Sequence, residues 1–531
     1  MYHKYLAWFV AGLFLIFQGC NASSTQSGSA VAGKVSVSLT DAPAYGYDHV
    51  WITVKDIWFH TSDSAEPGEA GWIKFPLSSF VTLDLLDLAN GNISAPVWED
   101  IELPEGDYTQ IRIVLAKTED ALTDSASAVN LTYNNQVDVT GDTAAYPLRV
   151  PDAQRGIMLT GEFQVRSTGN LKLAIDFDAG HDVVKVERGA GTEYILKPRL
   201  TYFDLDNAGA IVGSIDTAAA ADNPLARFVI KAEQTALNGQ VHLVRRATAI
   251  ADQTGKFILY PLAPGTYDLV IRGINYETVI VKGVPVVKGT TPVSSPTLVP
   301  GVTMTKAVAP DYAVNASIIS PTGAWVNFLQ TLPGTGEVPY DIRFSHFNPI
   351  TGHIGNFPMS SDPIQVGTYD ASSITLSTVS PIEGDGAYKA VAGAPLYALS
   401  DPILVTASTT TLSFGVLNVT PPATSRKVTG SIIVPQTFAA GFLDRGVLFA
   451  CHGGMIVNAI HVDEQMVSGG TYTINLPGGS PDKPLPGAFY GIEAMGWLSS
   501  NPLNRAASIH GFANLSTTDA ADVDMTMTMM P

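Results

Sequence analysis

Apolar and polar side chains alternate along most of this chain. In KVSVSL, Val35, Val37 and Leu39 fall on one side of an extended backbone, and Ser36 and Ser38 on the other. That two-residue period is the mark of a half-buried strand. VWITVKDIWF, from Val50, is dense in β-branched and aromatic residues, which suit a pleated surface. Long stretches with a 3.6-residue period and helix caps are scarce, so the expected class is mainly β.

The alternation recurs with a signature. Four times a Gly, a small polar residue and a Tyr stand together: Gly106-Asp107-Tyr108, Gly265-Thr266-Tyr267, Gly367-Thr368-Tyr369 and Gly470-Thr471-Tyr472. Each is expected to open a strand, with Gly supplying a positive φ and Tyr burying its ring while its hydroxyl stays at the edge. The last three copies also share an opening strand, IVGSI at Ile211, VNASII at Val314 and VTGSII at Val428. Each ends near a Thr pair: Thr290-Thr291, Thr409-Thr410 and Thr517-Thr518. The expected plan is tandem β-sandwich modules at 34–205, 206–301, 310–420 and 425–531, with loop insertions of varied length.

Two of these modules resemble known families. VSLTDAPA at Val37, YDHVWITVKDI at Tyr47, LDLLDLANG at Leu83, LPEGDYTQIRIVL at Leu103, AIDFDAGHDVV at Ala174 and YILKPRL at Tyr194 follow one another through the first module. Together they resemble the uncharacterised lipoprotein domain of unknown function, family 4382. That resemblance implies a bacterial cell-envelope setting and no known activity. GKFILYPLAPGTYDLVIRGINYE, from Gly255, resembles carboxypeptidase regulatory-like domains. Those are transthyretin-like β-sandwiches related in fold to starch-binding modules.

The start of the chain breaks the strand pattern. Tyr5 to Phe17 is a continuous apolar run, followed by Gly19, Cys20 and a Ser-rich stretch. The run is shorter than the roughly 20 residues that span a bilayer, and it suits the apolar region of a secretory signal. With Cys20 placed directly after it, the segment resembles a bacterial lipoprotein signal, although Phe17 and Gln18 depart from the usual residues there. The resemblance implies a signal peptide over 1–19, acylation of Cys20, and a flexible tether over 20–33. Plain secretion with Cys20 incidental is the alternative. Asn21 is not Asp, which favours the outer membrane over inner-membrane retention in a host that has both.

Composition narrows the partners. Acidic residues outnumber basic ones, 49 against 30, for a formal charge of −19. Such a chain repels phosphate, so no nucleic-acid partner is expected. The remaining candidates are a membrane reached through the lipid anchor, and a glycan or an envelope protein. No cofactor is expected.

Candidate chemistry is sparse. Asp176, Asp178 and His181 in DFDAGH could ligate a metal, but a strand-end turn capped by Asp explains them better. Cys451 beside His452 suggests a thiol nucleophile; neighbours on a strand face opposite ways, however, so Cys451 reads as a small buried hydrophobe. DLDNAG at Asp204 lacks the distant Glu of an EF-hand loop. Trp51, Trp58, Trp72 and Trp98 all lie in the first module and could form a sugar-stacking platform or serve the core. The expectation is a non-enzymatic, envelope-anchored array of binding modules, carbohydrate being the leading ligand class. A structural scaffold for envelope assembly is the alternative, and a hydrolase with an unrecognised carboxylate site stands behind both.

Overall fold

The computed structural model describes residues 31–531 apart from 152, 189–190, 199, 224, 237–240, 251, 309–311, 319–320, 322–323, 333–337, 347–352, 358–361, 381–387, 395, 407, 421–422, 436, 439–441, 453–454, 464–469, 499, 509–510 and 530–531. The expected signal over 1–19, Cys20 and most of the tether lie outside the described residues. Strands dominate, and the α-helical pieces are single turns such as Asp124–Ala128 and Ala179–Asp182. The protein is mainly β, built as tandem sandwiches around four main hydrophobic cores.

In the first module, Ala32–Asp41 lies at the centre of a four-stranded sheet between Trp98–Pro104 and Asn170–Phe177. Its alternating Val35, Val37 and Leu39 are fully buried and share a core with Ile111 and Ile113 of Gly106–Leu115, a strand of the facing eight-stranded sheet. Ala32–Asp41 and Asn170–Phe177 pair in parallel, with Thr40 opposite Asp176. This pairing sets two of the family-like segments side by side.

The other three modules close in a common way. The opening strands Gly209–Ile215, Tyr312–Ser317 and Thr424–Ile433 pair in parallel with the closing strands Thr297–Val302, Thr411–Ser413 and Met525–Met529, respectively. Each repeat therefore ties its two ends together, which explains why opening and closing segments are the parts that look alike.

The Gly-x-Tyr signature turns out to serve the fold. Tyr108 donates its hydroxyl to the Pro104 carbonyl at 2.9 Å, and Tyr267 donates to the Ala263 carbonyl at 2.7 Å. Both tie a strand's start to the chain four residues upstream, the arrangement known as a tyrosine corner. Tyr472 instead donates to Val523 across the module, at 2.6 Å. Two expectations need correction. Of the signature's glycines Gly106, Gly265 and Gly367, only Gly265 has a positive φ, 156°. The third copy does not open a strand: Gly367 and Thr368 end Ile364–Thr368, and Tyr369 packs against the second module's core.

That third copy also crosses between modules. Ile364–Thr368 pairs in parallel with Thr278–Val286 of the second module and carries Ser377–Val379 on its outer side. The second module's sheet is thereby extended to six strands. An edge strand offers unpaired backbone groups that must be covered, and here a segment from the next module covers them.

The modules also meet through side chains. Lys231 of the second module reaches Asp341 of the third at 3.0 Å, and His242 stacks on Tyr340 with ring centroids 4.0 Å apart. Tyr397 packs on both the third and the fourth cores. Arg149 of the first pairs with Glu493 of the fourth at 2.8 Å, beside a cluster joining Ile195 to Val447, Phe449, Cys451 and Met495. The contacts run from first to second, third and fourth module and back to the first.

Removing the corner hydroxyls tests their contribution. Tyr108→Phe and Tyr267→Phe should each lower stability by about 1 kcal/mol, the net value of one hydrogen bond. The expected reading is a lower urea midpoint with an unchanged slope.

Candidate functional site

The family-like segments converge where the first module meets the second. Parallel pairing brings Thr40 and Asp41 beside Asp176 and Phe177, and the chain then turns through Ala179–Asp182. Asp178 caps this turn: its carboxylate accepts from the His181 backbone N–H at 3.2 Å and lies 2.6 Å from His181 Nδ1. Gly180 is required by close approach, since a Cβ there would stand 2.6 Å from the Pro43 carbonyl oxygen. The capped turn is the arrangement that the spacing of Asp178 and His181 suggests.

Asp176 points elsewhere, into an ion pair with Arg246 of the second module. Arg246 also donates to the Thr40 hydroxyl at 2.8 Å and to the Asp41 carbonyl at 2.9 Å, and it is only 3% exposed. Asp41 is fully buried and accepts from the Ala179 N–H at 2.9 Å. Burial holds the Asp41 carboxyl well above its usual range, with that N–H opposing and the neighbouring Asp178 and Asp176 adding to the rise. Burial likewise pushes Asp176 up to about 6, against the pull of Arg246. Among the described residues, no three His, Cys, Asp or Glu side chains are grouped as a metal would need.

A cleft of about 170 Å³ opens beside this junction. Pro43, Tyr45, Asp178 and His181 form one wall, and Arg227, Lys231 and Arg272 of the second module face them. Tyr45 anchors the first wall by donating to the Phe228 carbonyl at 2.8 Å, and burial raises its hydroxyl's pKa. The Lys231 ammonium is already engaged by Asp341 and by the carbonyls of Asp341 and Ile342. Arg227 is exposed, on a left-handed backbone with φ 46°, at the mouth. Among the side chains that line the cleft, the cationic Arg227, Lys231 and Arg272 outnumber the acidic Asp178, in a chain whose overall charge is strongly negative. Such a pocket suits a small anionic group, above all a carboxylate that a guanidinium can grip with two N–H donors.

The other candidates are placed as follows. Trp98 and Trp58 are buried, and Trp51 and Trp72 half-buried. The indole N–H groups donate to the carbonyl of Phe75 from Trp98, to Asp56 from Trp58, to Asp138 from Trp51 and to the carbonyl of Glu66 from Trp72. The Lys74 ammonium covers the Trp58 ring at 3.7 Å, and His60 and Arg112 pack on Trp72. Each of these rings is engaged by the protein itself, and Trp58 and Trp72 meet edge to face with centroids 5.9 Å apart. Cys451 is fully buried in the seam between first and fourth modules, while His452 donates Nδ1–H to the Phe489 carbonyl at 2.9 Å. Asp204 caps a local turn through the Asp206 N–H at 3.0 Å. Nothing local in the sequence marks Arg246: in HLVRRATA it stands next to a second arginine, and Arg245 is exposed while Arg246 is buried; Arg272, which the alternation along its strand assigns to the wet face, is buried too.

Residues 32–198 match the model of a domain of unknown function, DUF4382. No curated protein matches the chain. Among solved structures, the chain is similar to a leucine-rich repeat protein from Bacteroides thetaiotaomicron, with 13% identity over 52% of this chain and a TM-score of 0.12. The match spans only 26% of that protein. It is also similar to two B repeat units of the collagen-binding protein of Staphylococcus aureus, with 10% identity, 94% of this chain and 98% of that one covered, and a TM-score of 0.13. A streptococcal ancillary pilin aligns at 11% identity over 73% of this chain and 99% of its own, with a TM-score of 0.14. Scores this low carry no inference about shared arrangement or function.

The titration of Asp176 has a testable sign. Its folded pKa lies above the unfolded value, so the native state binds more protons between about pH 4 and 6 and loses stability as pH rises through that window. Asp176→Asn should remove about 1–3 kcal/mol of this slope. Urea melts of both forms at pH 4 and pH 7 read the difference.

Proposed function

We propose that the chain is an envelope-tethered, non-catalytic binding protein that captures an acidic glycan through the cleft between its first two modules. The observation that carries this reading is the cationic excess of that cleft, walled by the turn at Asp178–His181 and by Arg227 and Arg272. A uronate-type sugar offers a carboxylate of the right size for the guanidinium groups, and hydroxyls for Asp178, His181 and Tyr45. The starch-binding kinship implied by the second module's likeness to carboxypeptidase regulatory-like domains favours a saccharide over other carboxylates. The indole N–H groups of Trp58, Trp72 and Trp98 are spent on the protein's own acceptors, which favours this cleft over an aromatic platform. Contacts that close from the fourth module back onto the first favour a rigid binding body over an extended spacer.

The envelope setting rests on the signal-like segment that ends at Cys20. Acyl chains there would hold the modules at a membrane through the tether, the outer membrane being the destination that Asn21 favours.

Two measurements test these statements. The chain from residue 21 onward should bind a uronate monosaccharide at least fivefold more tightly than the matching neutral sugar, read by calorimetry, and Arg227→Ala should abolish that preference. Equal affinity for the two sugars would reject the cleft as an acid-sugar site. Cells fed labelled palmitate should acylate the wild-type chain and not Cys20→Ser; equal labelling would reject the anchor.

A further inference from the structure

A second cavity, of about 520 Å³, lies at the junction of three modules. Asp63, Ser64, Glu66, Met158 and Thr160 come from the first module, Leu396 from the third, and His452 with the 485–488 segment from the fourth. Its volume falls within the range of small-molecule sites, and domain junctions are where such sites concentrate.

Two features indicate what it would hold. One side is apolar: Met158, Leu396, Leu485, Pro486 and Ala488. Leu396 adopts a left-handed backbone, φ 66°, and is 37% exposed. A bulky apolar residue in that conformation is an uncommon, costly choice, which is understandable if its side chain is wanted as a wall. The polar groups, in turn, are acceptors. His452 spends Nδ1–H on the Phe489 carbonyl, and burial lowers its pKa, so the neutral ring offers Nε2 as an acceptor. The Asp63 carboxylate stands exposed at the mouth, and the Glu66 carboxylate is paired with Arg155. The hydroxyls of Ser64 and Thr160 can serve in either sense.

We infer that this junction cavity binds a small amphipathic organic molecule, its apolar body against Leu396 and Leu485 and its hydroxyl or amino donors turned to His452 and Asp63. The site is independent of the acid-sugar cleft, and either can fail alone. A carboxylate head is the wrong partner here, since it would meet the Asp63 carboxylate and the His452 acceptor while the nearby Arg155 and Arg112 are engaged by Glu66 and by Gln110 and main-chain carbonyls, whereas it is the right one in the cleft.

The test uses the chain 21–531, which holds every described residue, titrated with three naphthalene probes followed by their fluorescence. Naphthalen-1-ylmethanol and 1-naphthylmethylamine should bind at one site at least tenfold more tightly than 1-naphthoate. A tighter alcohol identifies a neutral donor ligand, and a tighter amine a cationic one. Thr160→Trp fills the cavity from an exposed position, and Leu396→Asn removes the apolar wall while placing a residue that tolerates the left-handed backbone. Each should weaken the favoured probe at least fivefold, with circular dichroism unchanged; if one variant does not fold, the other decides. Naphthoate binding as tightly as the other two, or probe affinity unchanged in a folded variant, would overturn the inference.

Discussion

Buried charge at the seams sets the relation between the modules. Arg246 is nearly excluded from solvent, and its guanidinium is satisfied by the other module, through Thr40, the Asp41 carbonyl and Asp176. Removing either member of such a pair leaves an uncompensated charge in low dielectric, at a cost of about 3–5 kcal/mol. Two modules joined by hydrophobic contact alone could slide, because apolar attraction has no direction. A guanidinium aimed at fixed oxygens permits one docking. Lys231 does the same at the next seam, where the ammonium meets Asp341 and two carbonyls.

This constraint also shapes the local electrostatics. Asp41, Asp176 and Asp178 crowd the end of one sheet beside Arg246. Burial holds Asp41 and Asp176 above their usual range. The positive side of the cleft, Arg227 and Arg272, comes from a different module from the carboxylates. Charge of both signs is therefore brought together by docking, and the cleft's preorganisation depends on the seam that Arg246 secures.

Much of the fold was legible because it is local. Alternation in KVSVSL places Val35, Val37 and Leu39 inside, and they are fully buried. The Gly-x-Tyr signature correctly indicated fold chemistry, since Tyr108 and Tyr267 each return to a carbonyl four residues back. Its third copy was misread for a reason of topology. Ile364–Thr368 answers to a strand of the preceding module, and nothing within GTY announces a partner so far upstream. The site was harder still. The DFDAGH turn could be read from its own capping residues, but Arg246 lies 70 positions from Asp176. In its strand the usual logic is inverted: Leu243 and Val244 are 40% and 37% exposed while the arginine is hidden. Periodicity assigns faces, and it cannot say that a face will be covered by a charged seam.

The same inversion explains why these two cavities sit between modules. Within a module the sheets face each other and the aromatic rings are spent on packing, as the indoles of Trp58, Trp72 and Trp98 show. What remains are sheet ends and loops, where charged and strained residues such as Arg227 and Leu396 are tolerated because neighbouring modules hold them in place. A lone module would present half of each site: the Asp178 turn without its guanidinium wall, or His452 without Asp63 and Leu396. Each of these cavities is thus a product of docking, and the repetition of one sandwich plan supplies complementary surfaces that a single copy lacks.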